Sequence, residues 1–300
     1  MRSPFVIKIR AIVKEMRVWQ WTKNVLVFAP LVFGVKLFNL NLFFDTVILF
    51  FAMSLAASTA YVINDIFDVQ EDRKHSTKKN RPIASGLISM PQAKALVGTL
   101  VIVATALSLY LSPLITGAVL LYIVLNLLYS KLLKHRAIID ILIVAFFYIY
   151  RVYVGGLVGN LPVSGWLILT TFFLSLFMIT GKRRAEIISI SGKATRKVLS
   201  LYNEKFLDAA LSISITLFMV FYSLYSILIQ SGLFILTIFP IIYISLRYLY
   251  LIFVQGAGEE PEKLIFKDKE ILLSGVVLGL LIVVALYFHV DVSHLSIYRN

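Results

Sequence analysis

The sequence predicts an all-α, polytopic membrane protein of about nine transmembrane helices, with its long polar loops on the cytoplasmic face. Three observations carry that prediction. Of 300 residues, 59% are hydrophobic and only 15% charged, against roughly 45–50% and 25% in soluble chains. The apolar positions gather into runs near the roughly 20 residues a helix needs to cross a bilayer. The charge is lopsided, with 29 Lys and Arg against 16 Asp and Glu, or +13, and the cations recur at alternate connections between the runs. These figures exclude an ordinary soluble globule, a disordered chain and a single-span anchor. There is no cysteine, so thiolate nucleophiles, disulfides and Cys-ligated metals are excluded as well.

The elements follow in order. Residues 1–24 mix Lys8, Arg10, Lys14 and Arg17 with scattered apolar residues and offer no clean cleavable signal. Residues 5–19 read as a basic amphipathic helix lying on the membrane, with Trp19 and Trp21 at headgroup depth. Nine apolar runs follow, at 25–38, 42–63, 92–111, 114–130, 138–159, 163–181, 208–230, 233–254 and 271–290. The first is short and contains Pro30. No linker separates the runs, so residues 1–300 read as one integral-membrane domain.

Cation placement sets the orientation. The N-terminal segment and the connections after the second, fourth, sixth and eighth runs hold 25 of the 29 cations. Lys36 and Arg299 fall on the opposite face, and Arg151 and Arg247 fall inside runs. The N-terminus is therefore expected in the cytoplasm and the C-terminus outside, with the chemistry at the cytoplasmic ends.

One cytoplasmic end carries a carboxylate motif, Asn64-Asp65-Ile66-Phe67-Asp68-Val69-Gln70-Glu71-Asp72-Arg73. On a continuing helix Asp65, Asp68 and Asp72, at i, i+3 and i+7, share one face, with Asn64 and Asp68 paired on its edge. Crowded carboxylates repel unless a cation compensates. Hard oxygen ligands suit Mg²⁺, which binds through a few carboxylates plus substrate phosphates. The competing reading is a solvated acidic helix end neutralised by Arg73 and Lys74. The basic stretch Arg73–Gly86 follows at once, as a diphosphate clamp requires.

These residues carry a resemblance. The spacing Asn64-Asp65-x-x-Asp68-x-x-x-Asp72 resembles the first aspartate motif of the UbiA-type intramembrane prenyltransferases. The stretches Gln20–Asn24, Asn64–Gly86, Tyr129–Lys134 with Asp140, and Gly181–Glu186 are similar to the polyprenyl-phosphate (decaprenyl-phosphate-like) phosphoribosyltransferase branch. Two departures stand out. Ser76 follows His75 where that branch commonly has proline. The segment after the sixth run offers Lys182, Arg183, Arg184 and a single Glu186 instead of a second aspartate-rich motif.

The resemblance implies an Mg²⁺-dependent transferase of a prokaryotic plasma (inner) membrane. It would move 5-phosphoribosyl from 5-phosphoribosyl 1-diphosphate to a polyprenyl phosphate, with membrane lipids around it and no nucleic acid partner. Asp65, Asp68 and Asp72 would be catalytic and, with Asn64, hold Mg²⁺. Lys78 and Arg81 would grip phosphate. Lys23, Tyr129 and Lys134 would hold phosphate or ribose. Lys182, Arg183 and Glu186 would serve the phosphate acceptor, Lys182 and Glu186 forming an i, i+4 pair.

Arg151 lies about eleven residues past Asp140, roughly 16 Å into the bilayer, and must meet an anion, substrate or structural. Arg184 and Arg247 read as snorkelling or structural, and His289, Asp291 and His294 as interface residues. Gly155, Gly156, Gly159, Gly275 and Gly279 are expected to permit close helix approach. Two other functions compete. A prenyltransferase acting on an aromatic or quinone-precursor acceptor would need a carboxylate-rich second loop. A transporter would need ionisable residues along several spans.

Overall fold

The computed structural model describes residues 4–74, 78–189, 197–229, 231–256, 264 and 266–288. Of the residues read above, Arg2, His75, Ser76, Thr77, His289, Asp291, His294 and Arg299 lie outside this set. The helices are α1 (Pro4–Glu15), α2 (Ala29–Phe33), α3 (Leu40–Phe67), α4 (Val69–Lys74), α5 (Met90–Leu111), α6 (Pro113–Leu128), α7 (Ile139–Leu157), α8 (Gly165–Ser189), α9 (Glu204–Leu228), α10 (Ile238–Phe253) and α11 (Lys269–Tyr287). Short polar side chains start several of them by taking up N–H groups that lack a helical partner. The Asn39 side chain accepts from the Leu42 N–H, Ser112 from Ile115, Asn203 from Phe206 and Asp268 from Ile271.

Eight segments among the described residues are long and apolar enough to cross a membrane, and they match the last eight predicted runs. The first run does not form a regular span. Val18–Phe28 is a 3-10 segment and α2 has only five residues. Pro30 sits in the first turn of α2, where its missing N–H costs nothing, but a helix entering from Val25 could not run through it. At the C-terminal side Val35 takes φ 55° and the chain turns. A second difference concerns α8, which extends to Ser189. Lys182, Arg183 and Glu186 therefore lie on its last turns.

The chain packs as two compact units. The first comprises Met1–Leu31, Lys36–Leu133 and Tyr153–Leu161; the second comprises Val32–Val35, Lys134–Val152 and Pro162–Asn300. In the first, α3 is central and packs against α1, the 3-10 segment, α5 and α6. Polar hooks stitch the entering chain to it. Asn24 Nδ2 donates to Ser54 Oγ at 3.0 Å, Trp21 Nε1 to Ser58 Oγ at 3.0 Å, and Ser58 Oγ to the Met16 carbonyl at 2.8 Å. Gly155 is required here, because a Cβ would lie 2.1 Å from the Val27 carbonyl oxygen. Gly159 is required twice, by φ 69° and by Leu42 at 2.4 Å from its would-be Cβ. Gly275 and Gly279 differ from expectation, since no atom lies within 4 Å of a Cβ built on either.

A small apolar core of Ala11, Val62, Val69, Ile83, Ile88, Ala93 and Leu100 holds α1, the end of α3, α4 and the 83–88 segment together. In the second unit Phe177, Leu211, Phe218, Tyr222, Phe234 and Tyr248 centre a core shared by α8 to α11. Large apolar side chains left outside both cores, Ile102, Leu114 and Leu273 among them, form the surface expected against lipid.

Candidate functional site

The carboxylate motif builds a charged cluster in the first unit. Helix α3 is 28 residues long, about 42 Å at 1.5 Å per residue. That exceeds a hydrocarbon core of roughly 30 Å, so its last turns can leave the apolar layer. The helix breaks at Asp68 and resumes as α4, yet the i to i−4 bonds of Asp68 to Asn64 and Asp72 to Asp68 persist at 2.9 and 2.8 Å. Asp65 and Asp72 are buried, 3% exposed each. Asp68 instead turns towards Asn64, whose Nδ2 donates to Asp68 Oδ2 at 3.1 Å. Asp68 stands at the break between α3 and α4, with Asp65 and Asp72 on either side of it.

Two arginines compensate the buried charges. Arg17 Nη2 donates to both Asp65 oxygens at 2.7 Å. Arg81 Nη1 bridges Asp65 Oδ1 at 2.9 Å and Asp72 Oδ2 at 2.7 Å. Arg17 comes from the hinge between α1 and the 3-10 segment, where its φ of 50° is left-handed. That conformation costs a non-glycine residue about 1–2 kcal/mol. Its guanidinium also lies 4.8 Å from the Tyr61 ring centroid. Lys14 Nζ donates to the Asn80 carbonyl and Arg73 Nε to the Ala84 carbonyl, at 3.1 and 3.2 Å. These bonds pin α1 and α4 to the segment that carries Arg81.

Glu15 completes the cluster. It is 1% exposed and lies beside Asp65 and the Ile83 backbone. Burial, with the adjacent Asp65 charge, pushes its carboxyl up to about 7, where a retained proton can be donated to Asp65. Burial pulls the Arg17 guanidinium down, but the Asp65 pair more than offsets it and holds Arg17 above its ordinary value.

The donor chemistry fits a hard divalent cation. Arg81 Nη1 already marks a point where one positive group is within 2.9 Å of two buried carboxylate oxygens. As they stand, no three Asp, Glu or His groups among the described residues surround a single metal position. Arg17 and Arg81 are instead the cations paired with Asp65 and Asp72. At 29% and 26% side-chain exposure, both arginines keep solvent on one side.

A second cluster lies in the other unit and is built differently. Arg183 Nε donates to Asp140 Oδ2 at 2.9 Å and its Nη1 to Glu186 Oε2 at 2.9 Å. Tyr202 Oη donates to Asp140 Oδ1 at 2.6 Å and accepts from the Ile138 N–H at 2.5 Å. Asp140 is fully buried and the Arg183 side chain 4% exposed. Burial, then the Asp140 carboxylate, pushes the Tyr202 phenol well above its ordinary value, so it stays a donor.

The other predicted residues divide between the units. Lys23, half-buried on the 3-10 segment, Lys78 at the start of the 78–80 turn and Tyr129 at the end of α6 belong to the first. Lys134, Arg151 and Lys182 belong to the second. Arg151 is buried in α7, donates to the Phe147 carbonyl at 2.6 Å and lies 5.5 Å from the Tyr148 ring centroid. Arg184 pairs with Asp208 at 2.5 Å and Glu204 at 2.9 Å, and Arg247 with Asp268 at 3.0 Å, which are structural roles. Glu15 and Arg17 were missed as members of the carboxylate cluster. The one signal for Glu15 is that it is the sole acid in the first 24 residues. Tyr202 has no local signal at all.

A helical, membrane-crossing scaffold with buried carboxylates answered by arginines defines an intramembrane protein that handles polyanions. The chain belongs to the UbiA prenyltransferase family, whose model matches residues 27–268, a range running through both units. It is 33% identical over 270 residues to the decaprenyl-phosphate phosphoribosyltransferase of Mycobacterium tuberculosis, covering 87% of this chain and 89% of the relative. It is 33% identical over 279 residues to the protein of that name from Mycolicibacterium smegmatis, covering 87% of each. A UbiA homolog from Archaeoglobus fulgidus, solved with DMAPP and Mg²⁺, shares the fold at TM-score 0.69 and 16% identity, over 94% of this chain and 99% of that one.

Proposed function

We propose that this protein transfers the 5-phosphoribosyl group of 5-phosphoribosyl 1-diphosphate to a polyprenyl phosphate, releasing diphosphate. The observation that carries the reading is the similarity, over nearly the whole chain, to relatives named for phosphoribosyl transfer to decaprenyl phosphate. The bond between the ribosyl anomeric carbon and the diphosphate oxygen breaks, and a lipid phosphate oxygen forms the new bond to that carbon. The lipid phosphate is ionised at neutral pH, so the step needs no strong general base.

The residues supply what two polyanions at the edge of a low-dielectric layer require, namely compensating charge. Arg17 and Arg81 are placed to exchange a carboxylate for diphosphate oxygens, which frees Asp65 and Asp72. With Asp68 and Asn64 these would hold Mg²⁺, which when bound neutralises the departing diphosphate. Lys78, Lys23 and Tyr129 would steady phosphate or ribose in the same unit. Lys182, oriented by Glu186, would receive the lipid phosphate with Lys134 and Arg151, and Arg183, held by Asp140, would in turn fix Glu186. Both units then act as one transferase domain in a prokaryotic plasma membrane, the cation-rich face and N-terminus cytoplasmic and the C-terminus outside. The cation asymmetry supports that orientation.

The test is direct. Purified protein with radiolabelled 5-phosphoribosyl 1-diphosphate should yield organic-extractable label only with polyprenyl phosphate and Mg²⁺ present. Absence of labelled lipid, together with prenylation of an aromatic acid from an isoprenyl diphosphate, would overturn the assignment.

A further inference from the structure

Helix α7 begins under strain. Ile138 takes φ 68°, a left-handed conformation that a β-branched residue adopts only when its surroundings enforce it. The enforcing bond comes from far along the chain. The Tyr202 hydroxyl oxygen, 64 residues away, accepts the Ile138 N–H at 2.5 Å. The same hydroxyl donates to Asp140 Oδ1 at 2.6 Å, and the other Asp140 oxygen receives Arg183 Nε at 2.9 Å. Arg183 in turn reaches Glu186. One phenol therefore sets the start of α7 and, through one carboxylate, the side chains on the last turns of α8. Ring stacking fixes the phenol, with the Tyr202 and Phe206 centroids 5.7 Å apart and the planes inclined by 20°.

We propose that Tyr202 is a positioning residue for the acceptor phosphate. It holds the Asp140–Arg183 pair in the one orientation that sets Glu186 and its helical neighbour Lys182 for binding. This rests on the reading above, in which Lys182, oriented by Glu186, meets the lipid phosphate. The two bonds of the hydroxyl have separable consequences. The bond to Ile138 relieves a backbone conformation, which glycine would adopt without strain. The bond to Asp140 orients a charge network, which no change at position 138 can replace. A fully buried carboxylate that keeps Arg183 but loses Tyr202 retains its charge partner and loses its orientation.

The experiment compares wild type, Tyr202→Phe, Ile138→Gly and the double variant. Thermal unfolding and steady-state transfer to farnesyl phosphate, a short polyprenyl phosphate, are measured, together with its binding followed by tryptophan fluorescence. Tyr202→Phe should raise KM and Kd for farnesyl phosphate about tenfold, with kcat within twofold and the KM for 5-phosphoribosyl 1-diphosphate unchanged. It should also lower the melting temperature. Ile138→Gly alone should leave KM unchanged. The double variant should recover part of the lost melting temperature but keep the raised KM and Kd. Recovery of KM together with stability, or an unchanged KM and Kd in Tyr202→Phe, overturns the proposal. If Tyr202→Phe does not fold, the comparison of the double variant with Ile138→Gly alone decides. Wild type that transfers nothing overturns the functional reading; the binding arm then still decides whether Tyr202 orients a phosphate site. Wild type that fails to bind farnesyl phosphate overturns both.

Discussion

The carboxylate cluster around Asp65 and the network around Asp140 use the same chemistry to opposite ends. Each pairs aspartate with arginine at 2.7–2.9 Å. In the first, the arginines keep roughly a quarter of their side chains exposed, the Glu15 carboxyl is buried beside Asp65 and raised in pKa, and the Arg17 backbone is strained. In the second, Asp140 and Arg183 are sealed. Removing two charges from water costs several kcal/mol per ion and is recovered only when the geometry is complete. A sealed, complete network is therefore support, whereas a partly exposed one is suited to trading partners with a substrate.

That contrast can be broken at either end. The largest effect should come from Asp140→Asn, which removes one of the two carboxylates paired with the buried Arg183 and should cost up to about 3–5 kcal/mol of stability. Chemical unfolding in detergent checks it, and a fully stable variant would deny the network its supporting role. Next, Asp68→Ala should lower transfer about 10²–10³-fold while the melting temperature stays within a few degrees, since Asp68 is only half-buried. Retained activity would remove Asp68 from the site.

Arg81→Gln should cost about 1–3 kcal/mol in the absence of metal, because Asp65 and Asp72 lose a buried donor. Added Mg²⁺ should stabilise this variant more than wild type, as the competing guanidinium is gone. Equal stabilisation of the two would argue against a cation site at that point. The smallest effect should be that of Glu15. Its carboxyl is raised from 4.5 to about 7 in the folded, metal-free protein. The stability this brings is complete below pH about 4.5 and is lost as the pH rises through 7, because the folded state then holds a proton the unfolded state has released. Glu15→Gln should flatten that slope, stabilising the protein at pH 8 and leaving it unchanged at pH 4.

Much of this was legible in one dimension. Hydropathy runs located eight of the nine expected spans, because a lipid-facing helix must be apolar over its full length whatever its neighbours are. The aspartate spacing located the carboxylate cluster, because motif and helix end coincide. The first span misled because Pro30 and Gly34 interrupt a run that is apolar but not regular. Arg183 was legible as a cation, and its partners were not. Asp140 lies 43 positions before it and Tyr202 hydrogen-bonds Asp140 across 62, distances over which no local pattern carries information.

Composition and spacing, read without coordinates, settle the solvent this chain lives in, the family it resembles and the residues able to hold charge. Those properties belong to each residue and its near neighbours along the chain. Which arginine answers which aspartate was decided only in three dimensions, as was the strain carried at Arg17 and Ile138. Ion pairing depends on burial and on approach within about 3 Å, and the chain acquires both only when distant helices pack.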